Sequence, residues 1–296
     1  MTIRVLLLIA LAIAGLILIV ALAGARRRER EAWPTPLQFG IGVLTDFLDT
    51  LGIGSFAVTT SFFKLFKLVP DERIPGTLNV GHALPTIAEA LIYIVIVAVE
   101  PKTLLLMIAA AVAGAYLGAG FVARLPRRAI QIGMGIALLV AAGLFIAANL
   151  RGSTFGLGGD AFALSGTRLI IGVVVNFILG AFMTIGIGLY APCMILVSML
   201  GMNPAAAFPI MMASCAFLMP VASLRFIRYD AISLRTVLGL TLGGIPGVLL
   251  AAFVFTRFFH VNLLYIRWLV IVVVIYASVV MLRSAMSKRE EAVQLP

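Results

Sequence analysis

The pentapeptide TLGIG at residues 50–54 recurs as TIGIG at residues 184–188, and each copy interrupts a long apolar segment. The interrupted segments run over 37–69 and 168–201. Each half of such a segment has about 15–18 residues, or about 23–27 Å of helix, which is short for a hydrocarbon core of about 30 Å. We therefore predict that each segment is a broken helix, either a re-entrant hairpin or two short tilted spans. In both cases the chain returns to the side it left.

The composition places the chain in a lipid bilayer. Apolar residues occupy 62% of the 296 positions and charged residues 11%, against about 45–50% and about 25% in soluble domains. These charges are too few to cover a solvated surface. The net charge of +10 does not predict nucleic-acid binding. The basic residues fall between apolar segments and form no basic face with interleaved aromatic residues.

The cysteines and histidines predict neither a disulfide framework nor a metal site. Cys193 and Cys215 lie within apolar segments and form no CxxC motif, and His82 and His260 stand far from both along the chain. Buried cysteines usually pack as small apolar side chains. We therefore predict no metal and no cofactor.

Seven further segments are apolar and long enough to span a bilayer. The first, residues 3–24, ends like a signal peptide, but the basic cluster at 26–30 follows directly. Because basic clusters stay in the cytoplasm, we predict an uncleaved first helix whose N-terminus lies outside. The other six segments lie at about 76–99, 103–123, 129–148, 206–226, 233–255 and 263–283.

The basic residues favour one topology. In it the chain crosses once, returns through the first broken segment, crosses three times, returns through the second broken segment and crosses three times more. This path leaves 16 of the 22 Lys and Arg residues in the cytoplasm and six outside. Such an excess is typical of cytoplasmic loops. We predict a multi-pass protein of a bacterial inner (plasma) membrane with an external N-terminus and a cytoplasmic C-terminus.

The two halves of the chain match each other in sequence. At an offset of 134 residues the two glycine motifs coincide, and Pro70 and Pro75 coincide with Pro204 and Pro209. An odd number of crossings in each unit would turn the second copy upside down relative to the first. Broken helices at matching places in inverted repeats are typical of the binding site of a transporter.

These patterns predict an all-α polytopic membrane protein with two inverted-topology repeats, each a broken helical hairpin plus three transmembrane helices, preceded by one extra N-terminal helix. The extra transmembrane helix and a basic cytoplasmic linker occupy 1–35, and the first repeat occupies 36–148. An outer linker follows at 149–166. The second, inverted repeat with a short cytoplasmic tail occupies 167–296.

Each break frees backbone groups that survive at membrane depth only where they are buried in protein or line a wet cavity. The half-helices that begin near Ser55 and Leu189 would point amide-rich ends at that cavity, and such ends favour an anion. Alternatively, the glycines only allow close helix packing. The residues predicted to bind the substrate are Thr50, Gly52, Gly54, Ser55, Asn79, His82, Thr184, Gly186, Gly188 and Cys193.

Three acidic residues lie well inside apolar segments, namely Asp46, Asp49 and Glu89. Charge at that depth is costly and marks a functional site by default. Asp46 and Asp49 share one helix face, and because two close carboxylates rarely both ionise, one of them could exchange a proton. We predict that these acids couple transport to protons, with Asp49 favoured because it is closest to the break. Alternatively, they cap the next half-helix or pair with Lys64 or Lys67.

Further candidate residues lie beyond the first broken segment. Asn79 and His82 are three residues apart at the polar start of a spanning helix, so one helix face could line the cavity. His82 could carry a proton or only form an interhelical hydrogen bond. Cys193 lies one turn into the second half-helix, where it either lines the substrate path or packs in the interior.

The glycine-rich broken helices, the pair Asn203-Pro204 before the next span and the repeated Pro-x-x-x-Gly/Ala-rich helix resemble the sulfite exporter TauE/SafE family, or 4-toluene sulfonate uptake permeases. The resemblance covers about residues 36–285. The first half departs from the pattern, because LGIG at 51–54 replaces a longer glycine run and Asp49 and Thr50 precede it. The resemblance implies transport of small sulfur-containing anions such as sulfite, sulfoacetate and other sulfonates.

We therefore predict a secondary transporter, acting as an exporter and coupled to protons, and no enzyme. The chain has no Walker motif for ATP-driven transport, and no HExxH, GxSxG or paired serine for an intramembrane enzyme. An intramembrane enzyme, or a channel or assembly factor without carrier activity, remains the alternative. The expected partners are a small anionic substrate and the lipid bilayer but no nucleic acid, and a homodimer is left open.

Overall fold

The computed structural model describes residues 3–29, 33–70, 73–122, 127–150, 159–183, 188–259 and 263–293. These ranges fold into α-helices joined by short segments, which confirms the predicted all-α class for the part of the chain that is described. The helices are α1 Ile3–Glu29, α2 Pro36–Thr50, α3 Ser55–Leu65, α4 Ile74–Ile96, α5 Pro101–Val122, α6 Arg127–Leu150, α7 Gly166–Met183, α8 Tyr190–Met199, α9 Ala207–Arg228, α10 Leu234–Val254 and α11 Leu263–Val293.

Five of the described helices are long and apolar enough to cross a bilayer. They are α1, α4 and α7, together with α9 and α10 when the short turns at their ends are included. Shorter apolar stretches lie in α5, α6, α8 and α11. The chain is therefore a multi-pass membrane protein, as predicted.

The first predicted helix break lies where the glycine motif stands. Helix α2 begins at a capping box, in which the Thr35 side chain accepts a hydrogen bond from the backbone amide of Gln38. The helix ends at Thr50. Helix α3 begins at Ser55. Between them Gly52 and Gly54 have φ angles of 91° and 90°. This left-handed region is open to glycine and strained for other residues, so the two glycines fix the place where the helix stops.

The second predicted break is also present. Helix α7 ends at Met183 and α8 begins at Tyr190, and residues 184–187 between them lie outside the described part of the chain. The four pieces are less equal than the predicted 15–18 residues. Helix α7 has 18 residues and α2 has 15, whereas α3 and α8 have only 11 and 10. The second break therefore follows a helix that can cross a bilayer on its own.

The helices pack in pairs that bring distant parts of the sequence together. Helix α2 lies along α10, α5 along α7, α4 along α9, and α6 along α11. Glycine permits two of these approaches. A Cβ atom added at Gly243 would overlap the Phe39 carbonyl on α2, and one added at Gly114 would overlap the Phe177 carbonyl on α7. Small residues at helix contacts are usual in membranes because backbones can then approach closely.

The interior of the molecule is centred on α4, α8 and α9. All residues from Tyr190 to Ser198 of α8 are buried. Tyr93 of α4 stacks on Phe208 of α9 at 5.3 Å between ring centroids, and both rings contact Phe255 at 5.0 and 4.8 Å. This packing places the start of α8, just after the second break, against the middle of the fold.

The close contact between α2 and α10 can be tested with alanine. We expect Gly243→Ala to lower the thermal unfolding midpoint in detergent, because the added methyl group overlaps the α2 backbone, and overpacking of this kind costs about 1–3 kcal/mol. Gly40→Ala on α2 is the matched control, since no described atom lies within 4 Å of the added Cβ. It should leave the midpoint unchanged or raise it slightly. Equal midpoints for the two variants would contradict the close packing.

Candidate functional site

Three buried carboxyl groups meet beside the first helix break. Asp46 and Asp49 lie one turn apart on α2, and Glu89 lies on α4, which packs against α2. One oxygen of each carboxyl group lies within 4.8 Å of the other two. The three side chains are 0%, 4% and 0% exposed. The structure thus gathers the three acids that the sequence singles out into one cluster, which we call the carboxylate cluster.

Asp46 is paired with His82. Its Oδ1 lies 2.8 Å from Nδ1 of the imidazole, and both side chains are fully buried. The other ring nitrogen, Nε2, lies 3.0 Å from the Thr59 hydroxyl on α3. The second carboxylate oxygen, Oδ2, has no hydrogen-bond partner among the described residues, and a Cβ atom added at Gly244 would overlap it. His82 therefore joins α2, α3 and α4 by two polar contacts.

Asp49 closes the first break. Its Oδ1 accepts a hydrogen bond of 2.7 Å from the backbone amide of Ser55, the first residue of α3. The amide end of a helix carries partial positive charge, so it stabilises this carboxylate. Lys64 and Lys67 are exposed near the other end of α3. Of the alternatives left open by the sequence, Asp49 adopts the capping role.

Glu89 connects the two broken segments. Its Oε1 lies 2.8 Å from the hydroxyl of Thr50, the last residue of α2, and its Oε2 accepts from the Tyr190 hydroxyl at 2.9 Å. Tyr190 is the first residue of α8. Tyr93 adds a hydrogen bond of 3.1 Å from its hydroxyl to the Thr50 carbonyl. Glu89 is therefore the side chain at which both breaks meet.

The two tyrosines were missed at the level of sequence. Tyr93 lies one turn after Glu89 on the same helix, and Tyr190 follows the second glycine motif by two residues. The available signals were a hydroxyl next to a helix break for Tyr190 and a hydroxyl one helical turn from an acid for Tyr93. It is weak, because tyrosine in membrane helices also serves as an apolar side chain with a polar tip.

The predicted glycines stand in different surroundings. A Cβ atom added at Gly52 would lie 3.0 Å from the Met194 sulfur on α8, so the first break packs directly on the second broken segment. Gly54 and Gly188 have no described atom within 4 Å of an added Cβ, so each break has space that the described residues do not fill. The predicted binding residues Thr184 and Gly186 lie outside the described residues.

The remaining predicted binding residues divide into two groups. Thr50, Ser55 and His82 take part in the carboxylate cluster through the hydrogen bonds above. Asn79 instead donates to the Pro75 carbonyl of its own helix at 2.9 Å. Cys193 is fully buried in the apolar core. Both cysteines are buried as free thiols.

The comparisons with known proteins bear on the first half of the chain. Residues 1–145 match the family model of the sulfite exporter TauE/SafE. The predicted resemblance to this family is confirmed. The match includes α1, which the resemblance at 36–285 left outside, and it contains all three acids of the carboxylate cluster. No curated protein and no solved structure matches the chain. The family is one of membrane transporters, which agrees with a carrier rather than an enzyme.

The Asp46–His82 pair can be tested through stability. We expect His82→Ala to lower the thermal unfolding midpoint strongly, because removing one partner of a buried pair costs about 3–5 kcal/mol. The double variant with Asp46→Asn should recover part of that loss, since a neutral amide tolerates burial better than an unpaired carboxylate. Asn79→Ala, on the same helix, is the control and should change the midpoint little. A double variant less stable than His82→Ala would refute the pairing.

Proposed function

We propose that this chain is a secondary transporter that exports a small sulfur-containing or related organic anion, such as sulfite, sulfoacetate or another sulfonate, and that its transport is linked to protons. The family match supports transport of sulfur anions in general. The observation that carries the finer proposal is the carboxylate cluster at the first helix break, where three buried carboxyl groups lie beside a backbone amide end and two hydroxyl groups.

We infer that the substrate anion is bound near the N-terminal end of α3. The Asp49 carboxylate already occupies the Ser55 amide, so this helix end accepts negative charge in the folded protein. Open space lies beside Gly54, one residue before that amide. A sulfonate offers several acceptor oxygens and could share the same donors. Recognition by neutral donors rather than by a buried arginine would give modest affinity and easy release.

We further propose two inverted repeats, α2–α6 and α7–α11. This arrangement is supported by the packing pairs. The contact of α2 with α10 has its equivalent in that of α7 with α5, and the contact of α4 with α10 has its equivalent in that of α9 with α5. The pairs α4–α9 and α6–α11 join equivalent helices. The repeat boundaries proposed are 36–148 and 167–296, and breaks at matching places would then frame one central path.

Orientation and direction are proposed on electrostatic grounds. The excess of basic residues favours an inner membrane with the N-terminus outside and the C-terminus in the cytoplasm. An inside-negative potential drives anions out of the cell, which favours export. The proton force draws proton–anion symport inward, so export by this carrier requires either uniport or an outward anion gradient that exceeds the inward proton force.

Flux of a labelled anion in proteoliposomes tests the proposal. We expect saturable transport of sulfite or sulfoacetate by the purified protein, with competition by other sulfonates. Better competition by amines or neutral solutes would show that the substrate class is wrong. Flux that never saturates would indicate a channel, chemical conversion of the substrate would indicate an enzyme, and absence of flux would favour an assembly factor.

The open space at the second break generates a separate prediction. Gly188→Leu should abolish this transport while leaving the unfolding midpoint close to that of the parent protein, because the new side chain fills space where no described atom stands. Gly143→Leu on α6, which also has open space around an added Cβ, is the control and should retain transport. Full activity of Gly188→Leu would show that the space at this break lies outside the transport path.

A further inference from the structure

The hydrogen-bond geometry points to a single proton held on Glu89, between Thr50 and Tyr190, as the group that couples the two broken segments. The inference rests on the proposed proton-linked transport and makes it specific. It assigns the exchangeable proton to Glu89 rather than to Asp49, which the sequence favoured. It also gives Tyr190, a residue of the second half of the chain, a role in the cluster.

The Thr50 hydroxyl has one hydrogen for two neighbouring oxygen atoms. It lies 2.7 Å from the Asp46 carbonyl oxygen and 2.8 Å from Oε1 of Glu89. A hydroxyl donates one linear hydrogen bond and accepts others. If Thr50 donates to the carbonyl, which can only accept, then Glu89 must donate at Oε1. A protonated Glu89 satisfies this contact and still accepts from Tyr190 at Oε2.

Two of the three carboxyl groups face a partner that compensates negative charge. Asp46 faces the imidazole of His82 at 2.8 Å, and Asp49 faces the amide end of α3. Glu89 is fully buried and has only the two neutral hydroxyls as hydrogen-bond partners among the described residues. An ionised carboxylate without such compensation is the costliest of the three to bury. The proton is therefore best placed on Glu89.

The surroundings of Glu89 reinforce this assignment. The ionisable groups close enough to act on its charge are Asp46 and Asp49 from α2, Tyr93 on its own helix, Tyr190 from α8 and Cys215 from α9. Helices α1 and α10, which also pack on α4, carry their charged residues near their ends. Two carboxyl groups thus stand beside Glu89, and both disfavour a third negative charge.

The proton controls how the two breaks are joined. With the proton present, Glu89 bridges the last residue of α2 and the first residue of α8 through two hydrogen bonds. When the proton leaves, Glu89 can only accept, and Thr50 must turn its single hydrogen from the Asp46 carbonyl to the carboxylate. Loss of one proton would therefore release the hydrogen bond from the Thr50 hydroxyl to the Asp46 carbonyl and add a negative charge that repels a neighbouring anion. Proton release and substrate binding oppose each other, so this linkage would carry the proton and the anion together, outward only when the outward anion gradient exceeds the inward proton force.

Infrared spectroscopy of the purified protein in lipid tests where the proton resides, without any substrate. We expect the wild type at neutral pH to show the carbonyl band of a buried carboxylic acid. Glu89→Gln should abolish this band, whereas Asp46→Asn and Asp49→Asn should retain it. Glu100→Gln, at a half-buried acid whose carboxylate accepts from the Thr103 amide and hydroxyl, is the control and should leave this carboxylic acid band unchanged. No band in the wild type, or a band that persists in Glu89→Gln, would overturn the inference.

Two further variants connect the proton to transport. Tyr190→Phe removes one hydrogen bond to Glu89, so the carboxylic acid band should shift in frequency, and an unshifted band would contradict the bridge. Glu89→Gln keeps the donor and acceptor pattern of the protonated acid and should remove the pH dependence of anion flux. A wild-type pH profile in Glu89→Gln would overturn the coupling role. Because the infrared bands need no substrate, failure of the flux assay alone would sink only the proposed function.

Discussion

Burying three carboxyl groups within apolar helices is the constraint on which the rest of this structure depends. Lipid provides no hydrogen-bond or charge partner for carboxyl groups, so each of the three must be compensated within the protein. Asp46 pairs with His82, and Asp49 accepts a hydrogen bond at the amide end of α3. Glu89 contacts the hydroxyls of Thr50 and Tyr190. These partners lie on four different helices. Satisfying the acids therefore fixes the relative positions of α2, α3, α4 and α8, and with them the site.

The glycines act at two levels in meeting this constraint. At the first break, Gly52 and Gly54 adopt positive φ angles that end α2 and let α3 present its amide to Asp49. At the contact of α2 with α10, glycine makes room for the acid itself, since a Cβ atom at Gly244 would overlap the Asp46 carboxylate. The packing role of glycine and its role at the break are thus both present, at different positions, and both serve the same cluster.

The cluster also explains how an anion and a proton could share one site. The N-terminal end of α3 favours negative charge, and the Asp49 carboxylate already accepts a hydrogen bond there. In the proposed transport, a substrate anion arriving there would add charge beside two other acids, and protons or movement of a side chain would restore the local balance. Glu89, which touches both broken segments, is placed to transmit that change from one half of the chain to the other.

The sequence by itself determined the membrane class, both helix breaks, the three intramembrane acids and the resemblance to the TauE/SafE family, because composition, apolar length and glycine motifs are local properties. It did not determine the lengths of α3 and α8, nor that Asn79 bonds to its own helix while His82 joins the cluster. Only the tertiary structure decided the partners of the acids. His82 lies 36 residues from Asp46, and Tyr190 lies 101 residues from Glu89. No local pattern encodes these contacts, because they arise when α2, α4 and α8 pack around carboxyl groups that would be strongly unfavourable without partners in lipid.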